Sequence, residues 1–147
     1  MSKSAQDRRK EVRAWIRAGQ IILVQNDFAP TDKFVIVASA DPDLLCFVIN
    51  SEINAFIQKQ PRLLECQVLL KESEHKHFLK KDSHADCSKA INAVPMIKAV
   101  SQLVADGSRM KGHVTDAERQ AIIQAVNNAH TISPALKQRI LKEWGAA

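Results

Sequence analysis

The first twenty residues carry an amphipathic pattern. Residues 4–18 contain no Pro or Gly, and the apolar side chains Val12, Trp15 and Ile16 recur at the spacing of one helical face. Gly19 follows directly as a residue that commonly ends a helix. This segment therefore predicts a helix with one apolar face and one basic face.

From residue 20 onward the apolar positions come in short runs instead. Three such runs, rich in Val, Ile, Leu and Phe and separated by turn-forming residues at 26–32 and 41–43, are residues 20–24, 33–39 and 44–50. They predict three antiparallel strands. A further strand is predicted at 63–70 and a short one at 77–79 or 84–87, with residues 51–61 crossing between them. Such spacing is typical of a small curled sheet or barrel.

Helical patterns return after residue 88. A helix is predicted at 96–105, and Thr115-x-x-Glu118 is a capping box that opens a second helix through about residue 129. Ser133-Pro134 opens a last helix that runs to Trp144. With 147 residues the chain predicts one α+β domain: a helix at 4–18, an antiparallel barrel at 20–90 and a helical part at 91–147.

Composition and charge exclude several classes of protein. The chain is 46% hydrophobic, which excludes a disordered protein, and its apolar runs are far shorter than the roughly 20 residues of a membrane span. The N-terminus lacks the apolar stretch of a secretory signal, so we expect a cytoplasmic protein with no membrane partner. The three cysteines form no CxxC pair, which argues against a disulfide framework. The net charge of +5 is concentrated toward the chain ends and permits a nucleic-acid partner.

One segment concentrates candidate chemistry. Residues 74–88 hold three of the five histidines, three lysines and three acids. One interpretation is acid–base chemistry, in which a histidine transfers protons and a lysine stabilises a phosphorane anion. A second is a metal site formed by His75 and His77 and completed by Asp82, His84, Asp86 or Cys87. A third is a solvated hairpin whose charges only keep an edge strand soluble.

A second polar feature follows the third predicted strand. Asn50-Ser51-Glu52 can line the rim of a groove, where the amide and hydroxyl bind bases or phosphates and Glu52 acts as an acid or base. The same residues are also common in simple turns. The chain has no Gly-rich phosphate loop, dinucleotide fingerprint or HExxH motif, so the common nucleotide-dependent enzymes have no support in the sequence.

The order of these elements resembles the MazF/PemK (Kid/CcdB-like) toxin family. The similarity lies in the strand Gln20-Ile21-Ile22-Leu23-Val24, the Pro30-Thr31-Asp32 loop, the strand from Lys33, the stretch Cys46-Phe47-Val48-Ile49-Asn50-Ser51, and residues 74–87. The resemblance implies a small SH3-like antiparallel β-barrel, usually a homodimer. It also implies a protein that cleaves single-stranded RNA without a cofactor or metal and is inhibited by an antitoxin protein.

The resemblance also assigns residues. Lys33 takes the place of the family's catalytic Arg, Asn50 or Ser51 that of its Thr, and His84 with Asp86 that of its basic and acidic pair. The remaining basic side chains of the segment are then expected to bind RNA: His75, His77, Lys80 and Lys81.

Three functional hypotheses follow. The first is a MazF/PemK-like endoribonuclease. The second is a catalytically inactive barrel of the same fold that serves as a binding or regulatory module, for instance in a phage or mobile element. The third is a metal-dependent hydrolase that uses His75, His77 and either Asp82 or His84.

Overall fold

A computed structural model describes residues 4–25 and 31–146 of the chain. Within those ranges it contains six α-helices, six β-strands and two short 3-10 turns. The elements in chain order are α1 (Ala5–Trp15), β1 (Gln20–Val24), β2 (Lys33–Ser39), β3 (Leu45–Asn50), α2 (Ala55–Gln58), α3 (Pro61–Leu64), β4 (Gln67–Leu70), β5 (Ser83–Ile91), α4 (Met96–Ala105), β6 (Met110–His113), α5 (Asp116–Asn128) and α6 (Pro134–Glu143). The predicted α+β class is confirmed.

The strands form one curled sheet in the order β4-β5-β3-β2-β1-β6. Every pairing within the described residues is antiparallel, and β4 and β6 are the two edges. The predicted curled antiparallel sheet is thus confirmed as an open half-barrel. No helix in the described ranges is both long and apolar enough to span a lipid bilayer.

Both faces of the sheet are covered by helices. Ile36 and Phe47 face α5 and α6 on one side, whereas Val35 and Cys46 face α1 and α4 on the other. Because side chains alternate between faces along a strand, strands buried on both sides need nearly continuous apolar runs. This is why the runs in β2 and β3 are so apolar. The Trp144 indole packs on the sheet, and its Nε1 donates to the Ala38 carbonyl at 2.9 Å.

Most predicted boundaries agree with the structure, and the differences have local causes. The strand predicted at 63–70 begins only at Gln67, because Pro61 at a first helical position starts the short helix α3. Residues 77–79 form no strand, and β5 extends well beyond the predicted 84–87. The first helix ends at Trp15 rather than residue 18.

One strand has no counterpart in the predictions. The strand β6 lies in the part predicted as helical and pairs with β1, so the sheet draws its sixth strand from beyond residue 90. Its four residues include Gly112 at φ +120° and give almost no apolar pattern. Of the turn predicted at 26–32, residues 26–30 lie outside the described part of the chain.

The cysteine thiols are buried in the two cores. Burial raises the pKa of Cys46 to about 12 and holds the pKa of Cys87 well above its usual range.

Since only the thiolate is nucleophilic, we expect iodoacetamide to leave Cys46 and Cys87 unmodified in the native protein at neutral pH. Peptide mass spectrometry after native and denaturing alkylation checks this. Native labelling of Cys46 at the rate seen in guanidinium would refute it.

Candidate functional site

A groove of about 620 Å³ opens at one end of the sheet. In an antiparallel sheet, the start of β2, the end of β3 and the start of β5 meet at this end. Its lining residues are Asp32, Lys33, Phe34, Ile49, Asn50, Ser51, Glu52, Phe78, Leu79, Lys80, Lys81 and Ser83. Five of the predicted site residues are therefore brought together here: Lys33, Asn50, Ser51, Lys80 and Lys81.

Three predicted catalytic residues form a row across neighbouring strands. Asn50 in β3 is the register partner of His84 in β5. Val35 of β2 pairs with Val48 of β3. Two residues back along β2 and two residues forward along β3, this register places Lys33 opposite Asn50. Directly opposed side chains lie on the same face, with Cβ atoms about 4.5–5.5 Å apart. We call Lys33, Asn50 and His84 the polar row.

His84 is half-buried within this row and does not line the groove itself. Its Nδ1 is buried and has no hydrogen-bond partner among the described residues. A buried polar atom without a partner is uncommon and costs free energy, and a catalytic role is one explanation for it. The imidazole of His84 is thus a candidate proton carrier next to Asn50.

The electrostatic balance of the groove favours an anionic ligand. Three lysines and two acids line it. Asp32 is paired with Arg109 at 3.0 Å, and Glu52 contacts Lys81 at 3.2 Å. The Glu52–Lys81 pair is largely exposed and therefore weak, so a phosphate can displace Glu52 at little cost.

Asp86 is placed differently from the other predicted catalytic residues. Its side chain is buried, and its Oδ1 accepts from Gln67 Nε2 at 2.9 Å, from the Ser88 amide at 3.1 Å and from Ser88 Oγ at 2.5 Å. The bond from Gln67 ties β4 to β5. Asp86 does not line the groove, and its position is that of a structural carboxylate.

The two histidines predicted to bind RNA are instead bonded to other parts of the fold. His75 is 3% exposed, and its Nε2 donates to the two Glu118 oxygens at 2.9 and 3.0 Å. His77 donates through Nε2 to the Lys111 carbonyl in β6. His75 is therefore inaccessible to a nucleic acid, and both side chains anchor the segment between β4 and β5.

The described residues offer no cluster of metal ligands that would support the metal hypothesis. In residues 4–25 and 31–146, no group of three His, Cys, Asp or Glu side chains is placed to hold an ion. His75 and His77 turn toward different partners, and the Asp82 carboxylate accepts from the Glu72 amide at 2.8 Å. The residues that this hypothesis needs are not brought together.

The His75–Glu118 pair yields a prediction on stability. Glu118 also accepts from the Thr115 amide at 2.9 Å, so one buried carboxylate serves both the capping box and His75. We expect Glu118→Ala to cost about 3 kcal/mol, because it leaves a buried imidazole N–H and a helix-end N–H unpaired. Urea denaturation checks this. Asp116→Ala, at an exposed site in the same helical turn, is the control and should cost at most about 1 kcal/mol.

Sequence reasoning missed two aromatic residues of the site. Phe34 and Phe78 both line the groove, with ring centroids 4.9 Å apart. The available signal was Phe78 itself, a lone aromatic in the basic run from Lys76 to Lys81.

Comparisons of this chain with protein-family models, with curated proteins and with solved structures find no match.

Proposed function

We propose that this chain is a metal-independent endoribonuclease that cleaves single-stranded RNA at the end of the sheet where the groove and the polar row meet. The observation that carries the proposal is the polar row, which sets an ammonium, an amide and an imidazole side by side on adjacent strands. Lys80 and Lys81 extend the positive charge along the groove. This combination can hold a phosphate and move a proton near it.

The proposed chemistry uses the 2′-hydroxyl of the RNA. His84 takes the proton of that hydroxyl, and the oxygen attacks the adjacent phosphorus. Lys33 balances the negative charge that develops on the phosphate oxygens. The bond from phosphorus to the 5′-oxygen then breaks, and that oxygen takes a proton from an ammonium group of the groove. The products are a 2′,3′-cyclic phosphate and a free 5′-hydroxyl.

The resemblance to the MazF/PemK family supports the same proposal. Within it, the curled sheet is interpreted as an SH3-like barrel, and a homodimer and an antitoxin partner are expected. The family's catalytic Arg and Thr correspond to Lys33 and to Asn50 or Ser51. All three of these residues line the groove.

A second candidate is an RNA-binding module without catalysis. The position of Asp86 favours it, because its Oδ1 is engaged by Gln67 and Ser88 and no acidic partner for His84 is found in the described structure. Lys33 favours it as well, since an ammonium grips a phosphate less firmly than a two-pronged guanidinium. The two candidate functions use the same groove and differ in whether the bound RNA is cleaved.

A growth assay tests the proposal without knowledge of the RNA sequence that is cut. Induction of the wild type is expected to arrest bacterial growth, and Lys33→Ala and His84→Ala are expected to relieve the arrest. Lys89→Ala and His130→Ala change exposed residues away from the groove and should stay toxic. Normal growth in the presence of folded wild-type protein would reject the endoribonuclease. RNA binding by that protein would then favour the second candidate.

A further inference from the structure

Phe78 lies in the wall of the groove and is only half-buried. Its ring centroid is 4.9 Å from that of Phe34, 5.0 Å from that of His77 and 5.5 Å from that of His75. The ring is thus supported by other rings and still contributes to the groove surface. An aromatic side chain in this position contacts whatever occupies the groove.

The turn that carries Phe78 is anchored at two points. His75 is bonded to Glu118 in α5, and His77 is bonded to the Lys111 carbonyl in β6. Within the turn, the amides of Phe78 and Leu79 donate to the His75 carbonyl at 3.2 and 2.9 Å. The ring is therefore held in place before any ligand arrives, which lowers the entropic cost of binding to it.

The surroundings of the ring indicate the class of ligand. Lys80 and Lys81 follow Phe78 along the same wall, and Asn50 lies in the groove with them. Proteins that bind single-stranded nucleic acids combine an aromatic surface for bases with cations for phosphates. A flat base fits the ring.

We propose that Phe78 is a stacking platform for a nucleobase of single-stranded RNA. The inference rests on the proposed function and adds to it a base-binding subsite with a defined residue. His75 and His77 then act as positioning residues, because they fix the turn instead of touching the RNA.

Binding to a 2′-O-methyl RNA tests this subsite, because such RNA has no free 2′-hydroxyl and stays intact. The oligonucleotide carries 2-aminopurine, whose fluorescence falls when the base stacks. Wild-type protein is expected to bind and to quench the probe. Phe78→Leu, which keeps an apolar side chain without a ring, should bind about tenfold more weakly and quench little. Phe78→Tyr, which keeps an aromatic ring, should bind and quench the probe as the wild type does.

The matched control is Phe56→Leu, since Phe56 is 67% exposed and lies outside the groove. Equal affinity and quenching for Phe78→Leu and wild type would overturn the stacking platform and leave the proposed function standing. Absence of RNA binding by the wild type would overturn both. If Phe78→Leu fails to fold, the wild type alone decides, because binding without quenching also overturns the platform.

Discussion

Lys33→Ala is expected to slow cleavage of single-stranded RNA by at least about a hundredfold. Lys33 is half-buried at the start of β2 and stands opposite Asn50 in the polar row. Its charge is therefore fixed beside the position proposed for the phosphate, where an exposed lysine could not replace it. The rate is measured under single-turnover conditions with a labelled oligonucleotide in EDTA.

Two further variants make the Lys33 prediction specific. Lys33→Arg should retain most of the rate, because a guanidinium binds phosphate through two parallel hydrogen bonds. Lys89→Ala removes an exposed lysine from β5 and should leave the rate unchanged. Equal losses in Lys33→Ala and Lys89→Ala would show that only overall charge matters and would contradict a role for the row.

Trp144→Ala is expected to lower the free energy of unfolding by about 3–5 kcal/mol. Trp144 is 2% exposed and is the largest of the fully buried side chains. Its ring lies 6.4 Å from that of Phe47, and the Arg119 guanidinium is 5.1 Å from its centroid. Truncation leaves a cavity under α6 and also leaves the Ala38 carbonyl without its indole donor.

Trp15→Ala is the matched control for Trp144. The Trp15 side chain is 53% exposed at the end of α1, so its removal should cost no more than about 1 kcal/mol. Urea denaturation followed by circular dichroism measures both variants. Similar losses at the two positions would mean that the core around Trp144 is not packed as described.

The elements with strong local signals could be predicted from the sequence. The strands β1 and β2 and the helix α4 have the boundaries that the hydrophobic pattern predicts. The capping box at Thr115 forms with both of its hydrogen bonds. In these cases the residues that decide the structure are neighbours in the chain.

The elements that depend on distant partners could not be predicted in the same way. The strand β6 has little apolar character and is stabilised by its pairing with β1. His75 looks like a surface histidine in its polar segment, yet its partner Glu118 lies 43 residues further along the chain. Burial of that pair is a tertiary effect that spacing does not encode.

The candidate site shows the same division. The family resemblance assigns Lys33, the polar end of a predicted strand indicates Asn50, and the histidine-rich segment 74–88 indicates His84. The register that sets them in a row required the sheet order, in which β5 lies between β3 and β4. Phe34 and Phe78 meet only after the segment before β5 packs beside β2, so neither was recognised from the sequence.

Cleavage of RNA by the purified protein tests the central claim most directly. Wild type and His84→Ala are incubated with a labelled single-stranded RNA in EDTA, and the products are identified by mass spectrometry. The polar row predicts fragments that end in a 2′,3′-cyclic phosphate from the wild type and intact RNA from a folded His84→Ala variant. Intact RNA with the wild type, or the same fragments at the same rate from the variant, would contradict the assignment.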